Sequence, residues 1–123
     1  MKVQPHSFTF LDTTSLAAGI HYYDTARGQK IGSRSFLSLT GYLEDADGTI
    51  TVTVEGTNDT ASPNWVQLYG YDTQNATDVN SIAVTNTASA FAWDFDDFNY
   101  MYFRVKVVNS GATNVVKVLG RTS

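Results

Sequence analysis

Nine consecutive residues, Tyr100-Met101-Tyr102-Phe103-Arg104-Val105-Lys106-Val107-Val108, constrain the fold more than any other stretch. Met101, Phe103, Val105 and Val107 fall on one side of an extended backbone; Tyr100, Tyr102, Arg104 and Lys106 fall on the other. Successive side chains of a strand point to opposite faces, so this period of two specifies a strand with one dry and one wet face. The pattern recurs at residues 49–55, where Ile50, Val52 and Val54 oppose Thr49, Thr51, Thr53 and Glu55. Further strand-like runs lie at 8–12, 19–24, 36–43, 65–71, 81–84, 91–95 and 115–119, separated by Gly, Asn, Asp, Ser and Thr clusters. The nearest approach to a helix is Ser15-Leu16-Ala17-Ala18, too short to be stable alone. Eight to nine short strands with regular turns predict an all-β, antiparallel β-sandwich of jelly-roll-like type.

Turn chemistry suggests how the strands connect. Asp47-Gly48 is expected to close a tight hairpin between 36–43 and 49–55, because Asp-Gly tolerates the positive φ that such a turn needs. The stretch Asn109-Ser110-Gly111-Ala112-Thr113-Asn114 is expected to turn strand 100–108 back onto 115–119, giving a C-terminal hairpin. The polar stretches 56–64 and 72–80 are expected to be long contact-bearing loops. Residues 8–123 are the size of one domain, and residues 1–7, with Pro5 and no alternation, are expected to form an N-terminal arm.

The composition narrows the function. Charged residues make up only 16% of the chain, against about 25% in ordinary soluble domains. Surface polarity therefore comes largely from uncharged Thr, Ser, Asn and Gln, which cost less to desolvate against a partner than charges do. A net charge of −4 without a basic patch argues against nucleic acid. There is no Cys, so neither a disulfide framework nor a thiolate metal site is available. No apolar run approaches the ~18 residues of a membrane span, and the N-terminus lacks a signal-peptide core, so synthesis and folding in a reducing cytoplasm are expected.

Reactive chemistry has few candidates. In Trp93-Asp94-Phe95-Asp96-Asp97-Phe98-Asn99-Tyr100, alternation puts Asp94 and Asp96 on one outer face, roughly 6–7 Å apart. That spacing could serve a cation or a carboxylate pair, but Asp-Asp-Phe-Asn is turn chemistry at a strand end, and the turn is the stronger reading. Glu44-Asp45-Ala46-Asp47-Gly48 faintly resembles a calcium loop, yet Gly56 stands where the bidentate Glu should fall. His6 and His21 have no Asp or Glu at metal-ligand spacing, and no nucleophile elbow occurs, so the chain is expected not to be an enzyme and to hold no metal or cofactor. Asn58-Asp59-Thr60 and Asn75-Ala76-Thr77 fit the glycosylation acceptor pattern and are read as loop residues.

Aromatic residues are plentiful. Trp65, Tyr69 and Tyr71 alternate onto one side of their run, and Tyr100 and Tyr102 share the polar face of theirs. Such residues can anchor a protein interface or stack on a sugar ring, although most aromatics fill cores. With Met1, Val3 and Pro5 of the arm, these five are the candidate interface residues.

The segment WDFDDFNYMYFRVKVVNSGATNVVKVLGR, together with Gly48-Thr49-Ile50-Thr51-Val52-Thr53-Val54-Glu55-Gly56-Thr57-Asn58-Asp59 and Trp65-Val66-Gln67-Leu68, resembles small jelly-roll decoration (cement) proteins of tailed bacteriophage capsids. The resemblance implies a virion structural protein that sits on the capsid surface, binds the major capsid protein or other virion proteins, stabilises the coat lattice and works as a homodimer or homotrimer. It carries no catalytic residues. The alternatives are a phage tail or fibre-base component, and a carbohydrate-binding β-sandwich module stacking sugars on Trp65, Tyr69, Tyr71 or Tyr102.

Overall fold

The structure, a computed structural model, describes residues 6–23, 36–58, 61, 64–96, 100 and 102–122. They form nine strands and no helix: β1 (His6–Tyr23), β2 (Leu37–Glu44), β3 (Thr49–Thr57), β4 (Val66–Gln67), β5 (Gly70–Asp72), β6 (Thr77–Val79), β7 (Ile82–Thr85), β8 (Ala88–Phe95) and β9 (Tyr102–Thr122). Every pairing is antiparallel. The sheet order is β4-β3-β9-β2-β8-β5-β6, with β1 also on β9 and β7 also on β3. The curled sheet makes the expected jelly-roll-like sandwich.

The layers are made by folding one ribbon across its middle. β9 runs from Tyr102 to Thr122 and pairs with β1 at both ends, from Tyr23↔Val105 to His6↔Thr122. On its other edge the first half pairs with β3, from Thr57↔Tyr102 to Ile50↔Asn109, and the second half with β2, from Glu44↔Val115 to Leu37↔Thr122. Residues 45–49 face residues 110–114, five against five, so the register crosses the bend without a slip. A straight strand from Phe103 to Val118 would be about 50 Å long. Yet Phe10, which lies beside Val118 in the ribbon, meets the Phe103 ring edge-on at 5.9 Å. The ribbon is therefore doubled over. One layer holds β7 and β4 on β3, the first half of β9 and the end of β1. The other holds the start of β1, the second half of β9, then β2, β8, β5 and β6.

This bend corrects two expectations. Residues 109–114 are not the turn of a C-terminal hairpin, because the two halves of β9 pair with β1, β3 and β2 and not with each other. Nor do β2 and β3 form a hairpin at Asp47-Gly48: both pair with β9, one on each side of the bend. Both stretches carry the chain from one layer to the other instead of joining two strands that pair with each other. The positive φ values occur elsewhere, at Gly19 (129°), Ala76 (53°) and Asn86 (50°). Polar side chains hold the bend from within. Asn109, 2% exposed, donates from Nδ2 to the Leu16 and Ala17 carbonyls at 3.0 and 3.3 Å. Its Oδ1 accepts from Gly111 N at 3.0 Å and from Asn114 Nδ2 at 2.6 Å. Asp45 N and Asn86 N donate to the Thr87 and Gly48 carbonyls, which fastens the β7–β8 crossing onto the β2–β3 crossing.

Smaller differences follow from the same geometry. The run 8–12 and residues 19–23 of the run 19–24 belong to one strand, β1, whose irregular registers fall at Thr9/Leu11, Thr13/Leu16 and Ala17/Gly19; Asp24 lies outside the described residues. His6 and Ser7 of the expected arm pair with Thr122 and Arg121, and the rest of the arm lies outside the described residues. The run 65–71 is split at Leu68, where the chain leaves β3 and crosses to β8. Residues 77–79 of the expected 72–80 loop are β6.

The core is the sum of the inward faces. Ile50, Val52, Val54, Phe103, Val105 and Val107 are fully buried, as alternation predicts. Phe91, Trp93 and Phe95 are 5, 0 and 2% exposed, which places Asp94 on the outer face. Gly70 lets β5 lie against this cluster: a Cβ there would stand 2.5 Å from Trp93 Nε1 and 2.7 Å from the Phe95 ring.

Candidate functional site

The outer face of the first layer is the candidate site, and it is built from cross-strand neighbours. Residues paired across an antiparallel sheet share a face. Arg104 of β9 is paired with Glu55 of β3, which is paired with Gln67 of β4. One position along, Lys106 lies between Tyr22 of β1 and Thr53 of β3. Ile20 and Val108 form the next pair.

These residues interlock. Arg104 Nε donates to Glu55 Oε1 at 2.8 Å, both side chains being largely covered. The Arg104 guanidinium lies 4.2 Å from the Tyr22 ring centroid and 4.3 Å from that of Trp65. Tyr22 comes from the β1 flank and Trp65 from the β4 flank, so the guanidinium is held between two rings. Each such contact stabilises by about 0.5–1 kcal/mol at an exposed site and more when desolvated. The Lys106 ammonium lies 5.9 Å from the Tyr22 ring centroid. Around this ladder Tyr22 is 49% and Ile20 58% exposed.

Of the candidate residues, Trp65 joins this site, and Tyr102, two positions from Arg104, shares its face of β9. Tyr100 instead packs over Gly56, where a Cβ would meet its ring at 2.7 Å, and so belongs partly to the core. Tyr69, 69% exposed, lies at the crossing between layers. Tyr71 sits on the outer face of the second layer, paired with Asp94 on one side and Asp78 on the other. Trp65, Tyr69 and Tyr71 thus do not line the single face that their alternation suggested. Met1, Val3 and Pro5 lie outside the described residues.

Sequence reasoning missed Tyr22, Ile20, Glu55 and the place of Arg104 between two aromatic rings. The signal was present in Ile20-His21-Tyr22-Tyr23 as two apolar residues on alternate positions. What it lacked was the partner strand, where Tyr22 meets Lys106 and Ile20 meets Val108, far along the sequence.

Among the described residues, Asp94 and Asp96 are not brought together around a shared partner. Asp94 Oδ1 accepts a hydrogen bond from Ser38 Oγ at 2.9 Å, and Asp96 is exposed beyond the strand end. Asp97, Phe98 and Asn99 of the predicted turn lie outside the described residues. A cleft of about 440 Å³ opens between β7 and β8, lined in part by Asp72, Val79, Ile82 and Phe91. Asp72 is committed to the following turn, where it accepts from Gln74 N at 3.0 Å, Asn75 N at 3.3 Å and Asn75 Nδ2 at 2.7 Å. His21 Nε2 lies 2.9 Å from the Ala17 carbonyl. No group of three or more His, Asp or Glu residues poised to hold a metal occurs among the described residues. The phenols of Tyr42 and Tyr23 titrate above the ordinary value of 10.0, Tyr42 chiefly through its hydrogen bond to Glu44 and Tyr23 through burial.

No protein-family model matches the chain, and no curated protein matches it in sequence. Solved structures do resemble it. The SPBc2 prophage-derived protein YomS superposes with a TM-score of 0.65 at 19% identity, over 99% of this chain and 96% of YomS. The fold is one found in phage-derived proteins. The PBSX exported protein XepA superposes with a TM-score of 0.66 at 16% identity, over 99% of this chain. This chain spans 39% of XepA's length.

Proposed function

We propose that this chain is a structural protein of a phage virion: a decoration protein that binds the outer surface of a capsid, holds the major capsid protein lattice and works as a homo-oligomer. The observation that carries the reading is the Tyr22–Arg104–Trp65 ladder beside exposed Ile20. Tyr, Trp and Arg dominate the residues on which protein interfaces depend. Here they are ordered before any partner arrives, so association avoids much of the ~0.5–1.5 kcal/mol entropy cost of fixing each long side chain. Cross-strand pairing holds the ladder on a rigid sheet, and none of the carboxylates described above offers a competing centre for chemistry. The likeness over nearly the full length of a prophage-derived protein is in keeping with this reading. The chain acts by adding interface area to a shell, where many modest contacts sum through multivalency.

Quantitative mass spectrometry of separated heads and tails tests the location. The expected result is a copy number in heads of the order of the coat subunits. Copies confined to the tail fraction would make the chain a tail or fibre-base component instead. Arg104→Ala should weaken binding to undecorated heads by about 30-fold, the effect of losing roughly 2 kcal/mol at an interface hot spot. Unchanged head binding by a folded Arg104→Ala variant would remove the ladder from the interface.

A further inference from the structure

The charges of this chain are segregated along the sequence and then across the fold. Residues 35–103 contain no Lys or Arg, whereas β9 contains Arg104, Lys106, Lys117 and Arg121 and no Asp or Glu. In the folded sheet this leaves β8, β5 and β6 as a flank without cations. Across that flank three paired residues share the outer face in a row: Asp94 of β8, Tyr71 of β5 and Asp78 of β6. Tyr71 is 43% exposed and has a carboxylate on each side. On the outer face of the opposite layer, Tyr22 and Ile20 are exposed beside Lys106, which makes no ion pair among the described residues.

The two patches are complementary in charge and alike in offering an exposed aromatic ring. A cation over a tyrosine ring flanked by carboxylates is attracted by the ring and by both charges. Within one copy the patches lie on opposite faces of the sandwich and cannot meet. Pairing either patch with itself about a two-fold axis would oppose Lys106 to Lys106, or Asp78 to Asp78, which costs free energy. We propose that copies of this chain associate head to tail, the Ile20–Tyr22–Lys106 end of one outer face seated on the Asp94–Tyr71–Asp78 row of the next, with the Arg104–Trp65 end of that face left open to the capsid. Such a contact is heterologous, so it closes into a ring such as a trimer, or propagates where the rotation does not close. It excludes the two-fold dimer. The proposal rests on the reading of the chain as an assembling structural protein, and it names the surface through which assembly occurs.

Sedimentation of the purified full chain tests it with charge reversals. Wild type should self-associate, more weakly as salt rises, because the opposed charges are screened. Lys106→Glu alone and Asp78→Lys alone should each weaken association by about tenfold or more, since each places like charges in the contact. The double variant Lys106→Glu/Asp78→Lys should restore it, because every contact then pairs Glu with Lys. The milder Lys106→Gln and Asp78→Asn serve as replacements should either reversal unfold. A monomeric wild type, single variants that assemble like wild type, or a folded double variant as dissociated as either single one would each overturn the contact. Virion incorporation is scored separately. Variants that enter virions normally while self-association proves insensitive to charge would sink this contact and leave the virion reading standing. Charge-swap rescue of a chain absent from virions would do the reverse.

Discussion

Asn109 shows what a single side chain is asked to do at the bend. It is 2% exposed, and its amide serves two carbonyls of β1, one backbone N–H and the Asn114 amide. A buried polar group left without a partner costs about 1–3 kcal/mol. Asn109→Ala strands the Leu16 carbonyl and Gly111 N–H together, so a loss of about 3 kcal/mol is expected from urea denaturation midpoints. Ser110, the next residue, is the control. Its Oγ accepts from Thr49 N at 2.8 Å, but the site is exposed and water can replace it. Ser110→Ala should cost no more than about 1 kcal/mol. Equal losses for the two variants would show that burial of the network is not what stabilises the bend.

Among the strands, the faces were legible and the connections were not. Alternation at 49–55 and 100–108 assigned Ile50, Val52, Val54, Phe103, Val105 and Val107 to the core, because one-sided burial imposes the period locally. Residues 109–114 carry the same Asn, Ser and Gly chemistry whether a strand reverses or bends onto a second layer. The outcome is decided by β1 and β2–β3 running alongside, which are remote in sequence. The Tyr22–Arg104–Trp65 ladder was hidden for the same reason: these residues become neighbours only through the pairings of β1 and β3 with β9 and of β4 with β3. Gly19 is the one position in β1 where the bend demands a backbone that an L side chain resists, with φ at 129°. A Cβ there would meet nothing within 4 Å, so Gly19→Ala tests conformation without packing. It should cost about 1–3 kcal/mol. A neutral Gly19→Ala would mean that β1 follows the bend without strain.

For the whole molecule, the ribbon's first and last strands are neighbours: His6 pairs with Thr122, which pairs with Leu37. The longest pairing in the fold therefore joins the two most distant parts of the chain, and β9 finds both of its edges only after β1, β2 and β3 are in place. Folding rates fall as contacting residues become more distant in sequence, because loop-closure entropy is lost before the contacts form. Linking the ends through a short Gly/Ser segment and opening the chain within residues 59–63 would turn β1 and β9 into a local hairpin. The native pairings all remain, except that the β3–β4 connection is cut. Such a permutant should refold about tenfold faster or more, with its equilibrium stability reduced only by the cost of the cut. Stopped-flow fluorescence can follow this, since Trp93 is fully buried on folding. An unchanged rate would show that the slow step lies within the layers, in the crossings at Leu68 and Asn86, and not in bringing the ends of the ribbon together.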